Sequence, residues 1–296
     1  MKYRLEYLVM KAFLGFLASR GSAGRVAWGR RMGRILYRLD GKHRRLAIDN
    51  ITRGLGVGGE RAEAIARSNF EHLGLNMAEF AVMGRRGGDD SRVTIEGLEG
   101  LARARSGGRG AFLLSGHFGN WELIASALTK SLPLTVVARP MKNPLSERLI
   151  RERREGSGMK VVGHRNSTKQ ILKCIAEGEV VAVLLDQNTH HREAVFVNFL
   201  GRPASVNFGL ALLAAKTGGA VLPGLMVREE ALRHRAYIGD PIELARRKDR
   251  KEELGVNSAR FTAALEGFVR RYPEQWFWVH NRWKNQPRPG DRVYEP

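Results

Sequence analysis

From Arg92 onward, short apolar runs of strand length alternate with helix-patterned segments, and this alternation constrains the fold more than any other feature. The runs are VTIE (93–96), GAFLL (110–114), LTVVA (134–138), MKVVG (159–163), VVAVLLD (180–186), VFVNF (195–199) and AVLPGLMV (220–227). HRAYIGDPIEL (234–244) can add an edge strand. Helical patterns fill the gaps at 98–104, 121–130, 143–155, 169–178, 205–218 and 258–272. Strands buried on both faces read as continuous apolar runs, and the crossovers between parallel strands are helices. The expected class is α/β, a largely parallel, mixed sheet covered by helices.

One junction carries more chemistry than the rest. GAFLL runs into SGHFGNWE (115–122), and WELIASALTK follows as a helix. Gly116 and Gly119 permit a sharp turn. Asn120 stands where an N-cap belongs, and Glu122 falls in the first helical turn, where the helix dipole favours a carboxylate. His117 is left on the turn beyond the strand's carboxyl end, where open α/β sheets bind ligands. A histidine is the usual base near neutral pH, and a carboxylate behind it fixes the tautomer. The expected pair is His117 with Glu122, suited to base-assisted acyl transfer onto a hydroxyl brought by the substrate. On spacing alone, a histidine among glycines is as often a capping or exposed side chain. Turn amides around Gly116 to Gly119, or a nearby Arg, are candidate oxyanion donors.

Composition narrows the partners. The chain has 50 Lys+Arg against 30 Asp+Glu, a formal charge of +20, which favours an anionic partner such as nucleic acid, anionic lipid or an acidic protein. It has neither zinc-finger spacing nor an aromatic-rich RNA-binding run, so no nucleic acid is expected. Without a phosphate-binding P-loop or a dinucleotide fingerprint after a strand, no nucleotide cofactor is indicated. No cluster has metal-ligand spacing, so no metal is expected either. Cys174, the one cysteine, reads as a small buried hydrophobe, and His190–His191 as a solvated loop.

Residues 1–53 hold 13 Lys/Arg and 3 Asp/Glu, half the excess charge. The apolar stretch 5–18 is short and contains Glu6 and Lys11, so it falls below the roughly 20 residues a span requires. In 24–40, Val26, Met32, Ile35, Leu36 and Leu39 mark one face and Arg30, Arg34 and Arg38 another. That pattern predicts an interfacial, membrane-associating helix; a domain helix with a solvated basic face is the alternative. A further helix is expected at 42–56. A long one at 60–83 would pack the N-terminal segment onto the rest. Glycine-rich 84–90 sets the expected boundary between an N-terminal segment, 1–90, and an α/β domain, 91–296.

His117 and Glu122 match the H-x-x-x-x-D/E motif of the lysophospholipid acyltransferase superfamily. The wider chain resembles the bacterial lipid A biosynthesis (lauroyl/myristoyl) acyltransferases. The resemblance rests on YRLEYL near the start, the Asn50 and Phe70 region, ARPMKNPL (138–145), LLDQN (184–188), VFVNFLGRPA (195–204), AAKTGGAVLP (214–223) and WFWVHNRWKNQP (276–287). It implies a glycerolipid acyltransferase-like fold. It also implies an acyl carrier protein as donor, a lipid A precursor as acceptor, and work at the cytoplasmic face of the inner membrane, without a cofactor. The family commonly carries an N-terminal membrane-spanning helix, of which this chain has a weaker version.

Asn120, Arg139, Arg165, Asp186 and Arg202 are the candidate substrate-binding residues. The resemblance aligns Arg165 and Asp186 with polar positions that matter for activity or binding. A guanidinium at 165 suits a phosphate. Asp186 is expected to orient Arg165 or a sugar hydroxyl, or only to form a turn. Arg202 serves a substrate phosphate or a surface contact. Arg148, Arg151, Arg153 and Arg154 could dock the acidic carrier protein, or be solvated helix charges. Trp276, Phe277, Trp278 and Trp283 suit either a lipid interface or the core. Another lipid acceptor, a non-enzymatic membrane or nucleic-acid binder, and a hydrolase are the alternative readings.

Overall fold

The structure, a computed structural model, describes residues 1–85, 92–163 and 167–296. Four helices come first: α1 (Lys2–Ala18), α2 (Ser22–Leu39), α3 (Gly41–Leu55) and α4 (Gly59–Phe80). The alternating part follows as β1 (Arg92–Glu96), α5 (Leu98–Arg105), β2 (Ala111–Ser115), α6 (Trp121–Leu128), β3 (Leu134–Ala138), α7 (Pro144–Gly156), β4 (Lys160–Gly163), α8 (Thr168–Ala176) and β5 (Val180–Leu184). The chain continues through β6 (Ala194–Phe199), β7 (Arg202–Asn207), α9 (Gly209–Thr217), β8 (Val221–Glu230), β9 (Arg233–Ile238), α10 (Arg250–Arg271) and β10 (Val293–Tyr294).

The seven-stranded sheet has the order β1-β9-β8-β2-β5-β3-β4, and only the β8–β9 pair is antiparallel. This is the expected mixed α/β architecture, with two local differences. VFVNF is not in the main sheet. It forms β6 of a separate three-stranded sheet, β10-β6-β7, whose hairpin partner β7 takes the residues expected to start the 205–218 helix. β9 is interior, between β8 and β1, not an edge. Short apolar runs do not encode which sheet they join; that is decided by the faces available after folding.

β2 is central and wholly buried. Its chain leaves through α6 toward β3 on one side, while the chain from β5 returns to β8 on the other. The carboxyl ends of β2 and β5 therefore flank a crevice of the kind that binds ligands in open sheets. Leu113, Leu123, Ile124 and Leu128 pack on one face; Phe112, Leu114, Val181, Phe261 and Trp276 pack on the other.

α2 differs most from its expected role. It crosses α4 at Gly29, Gly33, Phe70 and Gly74, so closely that a Cβ on Gly33 would overlap the Phe70 carbonyl and one on Gly74 the Gly29 carbonyl. Backbone approach of this kind needs glycine. One face of α2 is thus packed on α4, and Arg30, Arg31, Arg34 and Arg38 lie on its exposed side. The exposed apolar surface lies on α1 instead: Leu5, Leu8 and Val9 are 63, 57 and 61% exposed, while Leu14 and Leu17 pack beside Ala81. Among the described residues no helix is long and apolar enough to cross a membrane. The expected boundary at 84–90 runs into residues outside those described.

Candidate active site

Register alignment builds the site. Ser115 on β2 pairs with Leu184 on the adjacent parallel strand β5. Two residues further on, His117 and Asp186 leave the sheet side by side. His117 Nδ1 lies 2.8 Å from Asp186 Oδ1, and the His117 backbone N–H donates to Asp186 Oδ2 at 2.7 Å. The indole Nε1 of Trp276 donates to the same Oδ2 at 2.8 Å. Asp186 is buried. Burial alone would raise its pKa, but the His117 charge and the three hydrogen bonds outweigh that and hold the carboxyl below its ordinary value.

With the carboxylate accepting at Nδ1, the tautomer of the neutral imidazole that fits has its proton there and its lone pair on Nε2. Nε2 faces the outer side of the turn, where the Gln187 side-chain amide lies 3.3 Å away. The ring is held edge-on against Trp121 and tilted against Phe277, with centroids 5.0 and 5.7 Å apart. A carboxylate-backed imidazole whose second nitrogen bears a lone pair can accept a proton from a hydroxyl that displaces the amide.

The turn itself is clamped. Gly119 has φ +55°, and a Cβ there would overlap the Met226 carbonyl oxygen. The Gly119 N–H donates to Gln275 O, its carbonyl accepts from Asn76 Nδ2, and the Phe277 N–H donates to His117 O. The Phe118 N–H donates back to Gly116 O. The amides of residues 117, 118 and 119 are therefore all engaged, and the expectation that they serve as oxyanion donors is corrected for these three.

Glu122 does not back the imidazole, as expected from its spacing. It lies in the first turn of α6, but its carboxylate forms a two-pronged pair with Arg154 of α7, at 2.6 and 2.9 Å. The helix carries it away from the Nδ1 side, and Asp186, 69 residues from His117 in sequence, takes that place. For Asp186, expected to orient Arg165 or a sugar hydroxyl, the described residues show both oxygens accepting from His117 and Trp276 instead. Arg165 lies outside the described residues.

Asn120 caps α6 as expected, its side chain accepting from the Leu123 N–H at 3.0 Å. Its amide donates to buried Glu79 at 2.6 Å. Asn120 is buried and doubly engaged, so the substrate contact expected of it is corrected to a structural one. Arg139 is exposed just past β3, at the rim of the crevice, with no polar partner among the described residues. Arg202 sits where β7 meets Phe199, at the hairpin end away from the Asp186 loop. The structure does not bring it to His117. Of the α7 arginines, Arg148 and Arg151 pair with Glu152 and Glu155, Arg153 donates to the Ala81 carbonyl, and Arg154 holds Glu122. Trp276, Trp278 and Trp283 are core residues.

Beside the turn lies a shallow apolar cleft, open to solvent. Its floor comes from three strands: Leu113 and Ser115 of β2, Ala182 and Leu184 of β5, alternating as strand side chains do, and Val136, Val137 and Ala138 at the end of β3. Trp121, Ile124 and Ala125 of α6 form a wall, and the Glu122–Arg154 pair borders it. Trp121 thus touches both the cleft and the His117 ring.

Sequence reasoning missed the foundation under this site. Glu79 of α4 binds Arg228 and, at 2.9 Å, His234, and all three are buried. Asn50 and Asn69 donate to carbonyls of Trp278, His280 and Glu274. The signal was a carboxylate on the apolar face of a helix and an arginine within a strand-like apolar run, since buried charges are retained only when paired.

The family model of the bacterial lipid A biosynthesis acyltransferases matches residues 2–285. The lipid A biosynthesis palmitoleoyltransferase of Escherichia coli (strain K12) is 28% identical over 235 residues, 77% of this chain and 74% of its own. The lauroyltransferase of the same strain is 28% identical over 233 residues, again 77% and 74%. A phosphatidylinositol mannoside acyltransferase of Mycobacterium tuberculosis is 33% identical over 135 residues, 44% of this chain and 42% of its own. With a family match along nearly the whole length, from residue 2 to residue 285, the chain belongs to the bacterial lipid A biosynthesis acyltransferases.

Proposed function

We propose that this protein moves a fatty acyl chain from an acyl carrier protein thioester to a hydroxyl of a lipid A precursor, with His117 as the base. The observation that carries this reading is the imidazole with Nδ1 pinned by a buried carboxylate and Nε2 turned outward. The acceptor O–H gives its proton to Nε2, and the oxygen forms a bond to the thioester carbon. The C–S bond then breaks, and the leaving thiolate takes the proton from the imidazolium. Asp186 stabilises that imidazolium and remains ionised. No acyl-enzyme is required. The apolar strand face beside His117 suits contact with an acyl chain, and exposed Arg139, next to Ala138 of that face, suits a phosphate of either substrate.

The enzyme works as a peripheral protein on the cytoplasmic face of the inner membrane. This rests on exposed Leu5, Leu8 and Val9 of α1 and on Met141 and Leu145, exposed on either side of Asn143, which holds the Tyr3 carbonyl at 2.9 Å. The same segments expose Lys2, Arg4, Arg139 and Lys142 against Glu6 and Glu147, a positive balance that suits anionic lipid.

The test uses purified full-length protein, an acyl carrier protein thioester or the matching coenzyme A thioester, and an under-acylated lipid A precursor or a phosphatidylinositol mannoside. Transfer from the carrier protein to the lipid A precursor is expected, with loss of at least ~100-fold in His117→Ala. Equal activity in His117→Ala defeats the reading. Transfer only to the mannoside reassigns the acceptor.

A further inference from the structure

The tetrahedral intermediate carries its negative charge on the former carbonyl oxygen, and a donor must meet it. The turn beside His117 supplies none from residues 117, 118 or 119, whose N–H groups already serve Asp186, Gly116 and Gln275. We infer that the Gln187 side-chain amide is the oxyanion donor. This rests on the reading of His117 as base.

Two observations on opposite sides of the imidazole carry the assignment. First, the Gln187 side-chain nitrogen, a donor, lies 3.3 Å from Nε2, and Nδ1 is held by Asp186, so in the neutral ring the amide N–H points at the Nε2 lone pair. That contact is the amide's one polar partner among the described residues. It is also longer than an ordinary N–H···O bond, so an incoming hydroxyl displaces it readily. Second, Gln187 directly follows Asp186, which is fixed by two bonds from His117 and one from Trp276. The backbone from which the amide extends is thereby anchored, while the side chain is exposed and able to turn.

The geometry of the reaction then places the donor. The attacking oxygen sits about 2.8 Å from Nε2, within hydrogen-bond reach. The thioester carbon bonds to that oxygen, so its carbonyl oxygen develops charge within a few ångströms of Nε2. The displaced amide is already in that space. It donates a hydrogen bond and transfers no proton; the proton passes from acceptor hydroxyl to His117 and on to the leaving thiolate.

The experiment measures single-turnover acyl transfer from an acyl carrier protein thioester to an under-acylated lipid A precursor. Gln187→Ala, Gln187→Glu, Gln187→Asn and His117→Ala are compared with the parent protein, each with a pH–rate profile. Gln187→Ala is expected to lower kcat roughly 100-fold. Both KM values stay within about threefold, and thermal unfolding is unchanged because the side chain is exposed. Gln187→Glu loses at least as much, since a carboxylate repels the oxyanion, and Gln187→Asn recovers part of the rate. If Gln187 merely fills the resting lone pair, Gln187→Ala keeps its kcat and raises the apparent pKa of the base. That result, beside an inactive His117→Ala, overturns the Gln187 assignment alone. Full activity in His117→Ala overturns the base reading and this inference with it.

Discussion

The Trp276 indole and the His117 backbone amide converge on one oxygen of Asp186, Oδ2, leaving Oδ1 to the imidazole. The carboxylate is therefore locked in rotation before any substrate arrives. Trp276→Phe keeps a ring in the core and removes the N–H donor. A hydrogen bond to a charged group contributes about 1.5–3 kcal/mol, so kcat is expected to fall about tenfold or more. The Asp186 pKa rises, and the acidic limb of the pH–rate profile moves to higher pH. An unmoved limb would separate Trp276 from the chemistry.

Glu122 and Arg154 join α6 to α7 beside the apolar cleft. Burial works against the Arg154 charge, and the Glu122 hydrogen bonds outweigh it, raising the guanidinium pKa. Both side chains are largely buried, so Glu122→Gln leaves a cation without its counter-charge. A loss of roughly 1–3 kcal/mol is expected in the unfolding free energy read from urea titration. The apparent pKa of the base in the pH–rate profile stays where it is, because Glu122 is not the imidazole's partner. A shift in that pKa would return Glu122 to the role its spacing suggested.

Acid lability is a further consequence of the buried network. Burial lowers the pKa of His72 to about 4, helped by the Arg228 charge, and burial likewise lowers that of His280 to about 4, both from 6.5. His280 Nε2 accepts from the Asn188 N–H, which requires the neutral ring. Between pH 6.5 and 4 the unfolded chain binds protons that the folded chain refuses, so stability falls as pH falls through that window. Below it the carboxylates take over. Burial pushes Glu79 up, but Arg228 and His234 outweigh this and bring it to about 2; Asp186 is lowered too. Unfolding free energies from urea titrations should be flat above about pH 7 and then drop by roughly 1–2 kcal/mol per pH unit. His72→Leu should flatten part of the 6.5-to-4 segment and leave the drop below pH 4 in place. A parent protein with constant midpoints from pH 7 to 5 would contradict the histidine assignments.

Much of this architecture is written locally. Asn120 caps α6 and Asn143 caps α7 with Pro144 behind it, so both helix starts are legible from capping chemistry. The β2 strand, the glycine turn and the exposed position of His117 follow from a few contiguous residues. The partner of His117 does not. Asp186 reaches it because β5 lies beside β2 with Leu184 level with Ser115, and strand order is a property of the whole sheet. Glu122, near in sequence, drew the pairing that register gives to Asp186. α2 is a similar case: its arginine-rich face looked interfacial, while the small residues Gly29 and Gly33 carried the packing information. Short β6 had nothing in its own pattern to separate it from the main sheet.

The measurement that tests the account most directly is kcat for Asp186→Asn, made on folded protein with an acyl carrier protein thioester and a lipid A precursor. Asparagine keeps the size of the side chain but removes the charge that stabilises the imidazolium and disturbs its tautomer. The account predicts a fall of roughly 10³- to 10⁴-fold. A variant within tenfold of the parent would contradict it.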